Sequence, residues 1–243
     1  MLDIIISETI YPGNLAKALS ERLNVKHVIR EHNIEAYYIS SLTQLLKSRV
    51  LKAIGTFERE VLKSAHSVFA ISYKDFLALK EIYDVNSIYI PPIIIVKEND
   101  REEVLKRNGI EKNKYYLFIS SPHKPNIFFL KEVVKCWKNT QKHGYKLVIG
   151  GSISYIAEKL VSKEFRKNIV ILKGILSREE ITVLIKNAYA FIALHHGHGV
   201  PIKLIEALQL KTPTITTANA LLTVKGLRNK VNIYAINNLN ELC

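Results

Sequence analysis

Short apolar runs alternate with longer segments of helical periodicity along most of this chain. Four runs lie in the first half, at residues 3–7, 27–30, 67–71 and 87–90. Six lie in the second half, at residues 115–120, 145–150, 168–173, 189–194, 214–217 and 231–236. Runs of this length, rich in branched residues and bounded by turn residues, are typical of buried strands. Strands that alternate with helices indicate an α/β architecture with parallel sheets.

Helices are predicted in the segments between these runs. They cover residues 14–22, 40–63, 73–82, 126–139, 154–164, 177–187 and 201–210. Asn14 and Ser72 are the expected N-cap residues of the first and third helices. The segment 40–63 is predicted as one long or broken helix, with leucines at helical spacing, among them Leu45 and Leu46, and basic residues on its other faces. Such a helix packs on a sheet or contacts a membrane surface, and both interpretations stay open.

A double proline divides the chain. Pro91 and Pro92 end the first set of strands, and a charged stretch, residues 93–107, follows before the alternation resumes. Domain boundaries commonly fall in such linkers. The sequence therefore predicts two Rossmann-like parallel-sheet domains, residues 1–92 and residues 93–243.

The segment 193–218 has the strongest functional pattern. It follows an apolar run and turns through Gly197 and Gly199 into a predicted helix. Glycines let a ligand approach the backbone closely, and the free N–H groups of a first helical turn bind anions. Lys203 and Glu206 lie three residues apart and share one helix face, where they would hold a diphosphate and a vicinal diol. A surface loop followed by an ordinary ion pair is the alternative.

Polar residues also follow the second apolar run directly. They are Glu31, His32, Asn33 and Glu35. The carboxyl ends of parallel strands are where α/β proteins bind their ligands, so these side chains are candidates for a second site. For His32, a structural role with satisfied hydrogen bonds is the alternative.

One pattern, G-x-G-x-P-x-K-x-x-E-A, spans the glycine turn and the helix after it. It consists of Gly197, Gly199, Pro201, Lys203, Glu206 and Ala207, with Thr212, Pro213 and Ile215 following. The pattern resembles the donor-binding signature of retaining GT-B glycosyltransferases, most closely their group 1 subset. The resemblance implies that Lys203 lies near the donor phosphates and that Glu206 binds the nucleotide ribose. The chain departs at Pro201, Lys211 and His198, where arginine, glycine and a second glutamate are usual.

Further segments fit the same resemblance. The family commonly has E-H-N-x-E after the second strand, which would place His32, Asn33 and Glu35 on the acceptor side of a cleft between the domains. It also has phosphate-binding basic residues in the loop that corresponds to residues 120–126, where Lys124 is the candidate. The remaining donor-side candidates are Gly150, Gly174 and Ile175.

The resemblance implies a glycosyltransferase of GT-B-like fold with an abbreviated N-terminal domain. It would move a sugar from a nucleoside-diphosphate sugar to a glycan, lipid or protein acceptor, with retention of anomeric configuration. The catalytic candidates are His32, Lys203 and Glu206. The donor is a substrate, so no cofactor is expected, and the family needs no divalent metal. The histidines of the glycine turn predict no metal site either, because no Asp, Glu or Cys accompanies them.

Other classes of function stay open. A usual family member is longer at both ends, so a half of a split enzyme or a non-catalytic relative is a second hypothesis. A nucleic-acid-binding protein is the third, because residues 93–243 carry 24 Lys and Arg against 12 Asp and Glu, whereas residues 1–92 carry 11 against 10. Scattered lysines and the lack of a recognisable module argue against nucleic acid.

Cysteine usage and hydropathy bear on the location of the protein. Cys136 and Cys243 lie far apart in sequence, so they indicate no disulfide framework and no zinc ribbon, and a reducing compartment fits. No apolar run reaches about 18 residues, and the first ten residues lack the pattern of a signal peptide. The expected location is the cytoplasm, with the membrane surface as the alternative.

Overall fold

The computed structural model describes residues 3–42, 48–96, 102–140 and 144–243. Leu45 and Leu46 of the predicted helix 40–63 lie outside these residues. The chain forms two compact units. The first runs to Ile93 and takes in Gly197–Val200 and Leu222–Gly226. The second consists of Ile94–His196, Pro201–Leu221 and Leu227–Cys243.

The first unit is built on a sheet of four parallel strands in the order β1-β2-β3-β4. The strands are β1 (Ile4–Glu8), β2 (Lys26–Glu31), β3 (Ser67–Ala70) and β4 (Ser87–Tyr89). The helices are α1 (Gly13–Leu23), α2 (Glu35–Leu42), α3 (Ser48–Ser64) and α4 (Tyr73–Tyr83). The sheet therefore follows the chain order without a reversal.

The core of the first unit lies on one face of this sheet. Strand residues that alternate onto that face pack against α3 and α4, and the buried members include Ile29, Val68, Ala70, Val61, Leu62 and Leu79. On the other face, Ile4, Ile6 and Ile88 are 42%, 54% and 54% exposed. Apolar side chains thus cover both faces, and the described parts of the helices pack on the face that carries this core.

The second unit contains a sheet of six parallel strands in the order β10-β9-β8-β5-β6-β7. The strands are β5 (Tyr115–Ile119), β6 (Lys146–Gly150), β7 (Ile169–Ile171), β8 (Ala190–Ile192), β9 (Thr214–Thr217) and β10 (Tyr234–Ile236). The helices are α5 (Glu103–Arg107), α6 (Lys124–Thr140), α7 (Ser154–Leu160), α8 (Arg178–Lys186) and α9 (Ile202–Gln209). Apolar clusters bury residues on both faces of the sheet.

The strand order reverses at β5. The chain continues from β5 to β6 on one side, and it returns to add β8 on the other side. In an open α/β sheet, ligands bind outside the carboxyl ends of the strands at such a switch point. The end of β5 and the end of β8 are therefore where a site is expected in this unit.

The structure confirms the predicted α/β class with two parallel sheets, and each predicted strand is present. Ser72 caps α4 as expected, because its Oγ accepts a hydrogen bond from the Asp75 N–H at 3.3 Å. The expected cap at Asn14 is wrong, since α1 begins one residue earlier and Pro12 takes the N-cap position. Likewise, α9 begins at Ile202, and Pro201 is its N-cap residue.

The segment predicted as a helix at 40–63 contains parts of two helices in the described residues, α2 and α3. The helix α5 was not predicted, because it is short and lies in the charged stretch 93–107. Among the described residues, no helix combines the length and the apolar character that are needed to cross a bilayer.

The two cysteines are joined, a pairing that their spacing in the sequence did not indicate. Cys136 on α6 and Cys243 form a disulfide, and their Cα atoms are 5.1 Å apart. This Cα separation is ordinary for a disulfide. The pairing joins residues 107 positions apart, and it depends on the packing of the 3₁₀ turn Leu239–Leu242 against α6.

Candidate functional site

Two loops leave the sheet of the second unit at its switch point. Residues 120–123 follow β5 and lead into α6, and residues 193–201 follow β8 and lead into α9. His196 joins the two loops. Its ring stacks on Phe129 with centroids 4.4 Å apart, and its imidazole is hydrogen-bonded to the Pro125 carbonyl. Burial lowers the pKa of His196, whereas the hydrogen bond to Pro125 opposes that shift.

The carboxylate of Glu206 lies in the interior of the second unit. Leu204, Glu206 and Ala207 are the buried residues of α9, and Glu206 is 3% exposed. Its partner is Arg178, the first residue of α8, whose guanidinium forms an ion pair with Oε1. The contact is an ion pair rather than an aligned hydrogen bond, because neither carboxylate oxygen accepts a hydrogen bond from the described residues. Glu206 is thus a charged group with free acceptor capacity.

Lys203 lies one turn before Glu206 on the same helix. Burial lowers the pKa of its ammonium group, Glu206 opposes this shift, and Arg178 adds to it. The predicted pair Lys203 and Glu206 is therefore part of a charged cluster of three residues.

The other donor-side candidates differ in how accessible they are. Lys124 is the first residue of α6 and is exposed. Gly174 has a φ of 84° and open space around its Cα, and Ile175 next to it is fully exposed. Gly150 is buried, and a Cβ there would meet Leu176 at 3.1 Å. These positions lie at or after the carboxyl ends of β5, β6 and β7.

At Gly151 the backbone of the turn after β6 lies close to the backbone of the turn after β5. The φ of Gly151 is 84°, and an added Cβ would lie 2.5 Å from the carbonyl oxygen of Ser120. The Ile153 N–H also donates to that oxygen at 3.2 Å. The glycine therefore holds the turn after β6 against the turn after β5.

The glycine loop Gly197–Val200 belongs to the first unit. Lys74 Nζ donates to the Gly197 carbonyl at 3.0 Å. Gly199 has a φ of 66°, and a Cβ there would lie 2.4 Å from Asn33 Oδ1 and 2.9 Å from the His32 carbonyl oxygen. The structure thus brings Gly199 against His32 and Asn33, three residues that the sequence predicted as site residues.

The predicted acceptor-side residues have different surroundings. His32 Nε2 contacts Glu8 Oε2 at 2.7 Å and is partly exposed. Glu35 is 5% exposed, and its carboxylate accepts a hydrogen bond from the Tyr11 hydroxyl at 2.9 Å. The Glu35 N–H donates in turn to Glu58 Oε1 at 2.7 Å. Glu35 is therefore held below the surface, whereas His32 lies at it.

Three more carboxyl groups of the first unit are buried, those of Glu31, Glu58 and Asp75. Burial, together with the nearby carboxylates of Glu58 and Glu35, raises the pKa of Glu31 to about 9. Burial raises the pKa of Asp75 to about 6 and raises the pKa of Glu58, although the Tyr83 hydroxyl donates to Glu58 at 2.6 Å. At neutral pH the Glu31 carboxyl is protonated.

Sequence reasoning missed Arg178 and the buried carboxyl groups as parts of these clusters. Arg178 follows Ser177 in an S-x-x-E capping box at the start of a helix, just after a strand. A charged residue at that position lies on the ligand edge of the sheet, which is a signal that the sequence contains. For Glu31 and Glu58, the sequence gives no sign of burial.

Comparisons with known proteins agree with this architecture. A sequence profile described as "Glycosyl transferases group 1" matches residues 100–236. Sucrose-phosphate synthase from Thermosynechococcus elongatus has a similar structure, with a TM-score of 0.74 and 14% identity over 98% of this chain. TarM is similar with a TM-score of 0.67 and 16% identity over 98% of this chain. A third similar structure is a point mutant of S. aureus TarM in complex with fondaparinux, α-GlcNAc-glycerol and UDP. Its TM-score is 0.63, at 16% identity over 98% of this chain.

The matched structures are longer than this chain. It spans 62% of the length of the sucrose-phosphate synthase and 46% of each TarM structure. A comparison with curated proteins gave no significant match.

Proposed function

The chain belongs to the group 1 glycosyl transferases, and from this premise we propose that it transfers a sugar from a nucleoside-diphosphate sugar to an acceptor, with retention of anomeric configuration. The observation that carries the proposal is the buried carboxylate of Glu206, which keeps both oxygens free to accept hydrogen bonds. A buried charge without hydrogen bonds is costly. Two adjacent hydroxyl groups, as on a ribose, would satisfy both oxygens.

Positive groups suited to the diphosphate lie at the starts of the helices that follow the two loops of the switch point. Lys203 is in the first turn of α9, where backbone N–H groups have no partner within the helix. Lys124 begins α6, directly after the other loop of the switch point. Lys203, Lys124 and the start of α9 would stabilise the negative charge that develops on the leaving diphosphate.

The transfer itself exchanges one bond to the anomeric carbon for another. The bond from that carbon to the diphosphate oxygen breaks, and a bond to the acceptor hydroxyl oxygen forms on the same face. The hydroxyl proton passes to an oxygen of the leaving diphosphate, so the products are a nucleoside diphosphate and a glycoside. Two groups that lie together in the first unit, His32 and Asn33, are proposed to orient the acceptor, with Glu35 fixing the loop from below.

Donor binding tests the proposal directly. Calorimetric titration of the chain with UDP, GDP and their sugars is expected to give micromolar binding of one nucleotide. Glu206→Gln is expected to weaken that binding roughly 10- to 100-fold, which is the usual effect of losing hydrogen bonds to a charged group. The unfolding free energy of the variant should change much less, because the amide has the shape of the carboxylate.

A surface variant provides the control. Glu132→Gln removes a carboxylate that forms an ion pair with Lys135 at 4.0 Å, so nucleotide affinity should stay that of the parent chain. If the folded chain binds neither nucleotide, or if both variants bind as the parent does, the donor site is elsewhere or absent. NMR of the sugar released by slow donor hydrolysis would report whether the anomeric configuration is retained.

A further inference from the structure

The proposed donor site contains a group that neither the sequence motif nor the family match assigns. Arg178 lies 28 residues before Glu206 in the chain, and its guanidinium is ion-paired with the Glu206 carboxylate. The side chain of Arg178 is 56% exposed, whereas that of Glu206 is 4% exposed. The ion pair therefore joins a half-exposed guanidinium to a buried carboxylate.

Glu206 depends on this partner for its charge balance. Taking one charge of a buried pair away leaves the other uncompensated, which is far more costly than the pair itself. Lys203 is the other cation nearby, but burial disfavours its charged form. A guanidinium stays charged under all ordinary conditions, and its planar fork matches a carboxylate. Arg178 is thus the more constant counter-charge for Glu206.

The contact also limits where the carboxylate can point. An ion pair from one side fixes Oε1, while the lack of aligned hydrogen bonds leaves acceptor capacity on both oxygens. A carboxylate that is fixed but unsaturated can accept from two hydroxyl groups held at a set spacing. Without the guanidinium, the same carboxylate would turn toward water and lose that geometry.

We propose that Arg178 is a positioning residue that fixes the Glu206 carboxylate for the two ribose hydroxyl groups of the donor nucleotide, and so sets the preference for ribonucleotides. The proposal rests on the proposed function. It predicts a specific loss: without Arg178, recognition of the ribose diol weakens, while the contacts to base and phosphates remain. A purely structural role for Arg178 would instead weaken binding of every nucleotide alike.

The test uses UDP and GDP together with their 2′,3′-dideoxy analogues, titrated into the full chain by calorimetry. The parent chain is expected to prefer the ribonucleotide roughly 10- to 100-fold. Arg178→Gln should lose about tenfold in affinity for the ribonucleotide and less than twofold for the dideoxy analogue. Arg178→Lys should recover part of the preference, because it restores the charge without the fork.

Arg107→Gln is a matched control. Arg107 forms an ion pair with Glu180 on α8 at 2.5 Å, and its side chain is 55% exposed. Its loss removes the same charge and the same kind of contact, but it should leave the ribonucleotide preference unchanged. The double variant Arg178→Gln with Glu206→Gln leaves no uncompensated charge, so it keeps the test usable if Arg178→Gln unfolds. It should bind the two nucleotides as Glu206→Gln alone does.

Three results would overturn the proposal: an unchanged preference in Arg178→Gln, an equal loss for both nucleotides, or a double variant that binds more weakly than Glu206→Gln. These results differ from a failure of the proposed function, which would appear earlier as a parent chain that binds no nucleotide.

Discussion

The ring of His196 lies against the ring of Phe129, with planes 29° apart and centroids at 4.4 Å. This contact, together with the hydrogen bond to the Pro125 carbonyl, ties the loop after β8 to the start of α6. The loop after β8 leads to Lys203 and Glu206 on α9, and α6 begins with Lys124, so the contact joins the segments that hold the proposed donor site. The stack is therefore a structural support for the site rather than a part of its chemistry.

Replacing His196 by phenylalanine distinguishes the contribution of the aromatic contact to stability from the effect of protonating the imidazole. His196→Phe keeps an aromatic contact and loses one hydrogen bond, so about 1 kcal/mol of unfolding free energy should be lost at pH 8. Burial lowers the pKa of His196 in the folded chain. As the pH falls, the imidazole is therefore protonated in the unfolded chain before it is protonated in the folded chain. The parent therefore loses stability as the pH falls below the ordinary histidine pKa of about 6.5. Urea unfolding at pH 8 and pH 5 should show a smaller acid loss in the variant; equal losses would contradict this account.

Gly151 and Gly174 allow backbone strain to be compared with a steric clash. Both have a φ of 84°, but a Cβ at Gly151 meets the Ser120 carbonyl oxygen at 2.5 Å, while a Cβ at Gly174 meets nothing within 4 Å. Gly174→Ala should cost about 1–2 kcal/mol, the usual penalty of the left-handed region. Gly151→Ala should cost roughly 2 kcal/mol more, because the backbone must also move. Urea unfolding of both variants measures the difference in unfolding free energy. Equal losses would show that the backbone of the turn after β6 moves without further loss of stability.

The buried carboxyl of Glu31 predicts an unusual dependence of stability on pH. Its pKa is raised to about 9 in the folded chain, so the folded state holds the proton well above the pH at which the unfolded state releases it. The stabilisation is complete below about pH 4.5 and is lost as the pH rises toward 9.

Glu31→Gln replaces the protonated carboxyl by a neutral amide of the same shape. The variant should exceed the parent by roughly 3–5 kcal/mol of unfolding free energy at pH 8, and the two should converge near pH 4. Chemical unfolding across this range measures the effect. Glu81→Gln, at an exposed position on α4, should follow the parent throughout. A constant offset between Glu31→Gln and the parent would mean that the carboxyl is ionised in the folded chain.

Most of the fold could be predicted from the sequence, because buried parallel strands require apolar runs. The first and last residues of each strand could not be predicted, because they depend on which elements pack beside the strand. The last run was predicted from residue 231, but the strand begins at Tyr234, and Val231 is 76% exposed. Apolar composition alone does not distinguish these positions.

The donor-side motif was also visible, since its glycines, lysine and glutamate lie within ten residues of one another. The role of Arg178 could not be predicted from the sequence, because its contact with Glu206 arises only when α8 and α9 pack together. The burial of Glu31 and Glu58 was hidden for a related reason. A glutamate is expected at the surface, and only the tertiary packing of the first unit places these two inside, at 1% and 0% exposed.

The segments that make up the first unit are far apart in the order of synthesis. Its sheet is complete once Tyr89 has left the ribosome, but Gly197–Val200 and Leu222–Gly226 belong to the same unit. At about 5–20 residues per second, these segments appear several seconds or more after the sheet. During that interval the His32 carbonyl and the Asn33 side chain lack the contact with Gly199 that they have in the finished protein. The first unit is therefore completed only by segments that are synthesised after most of the second unit.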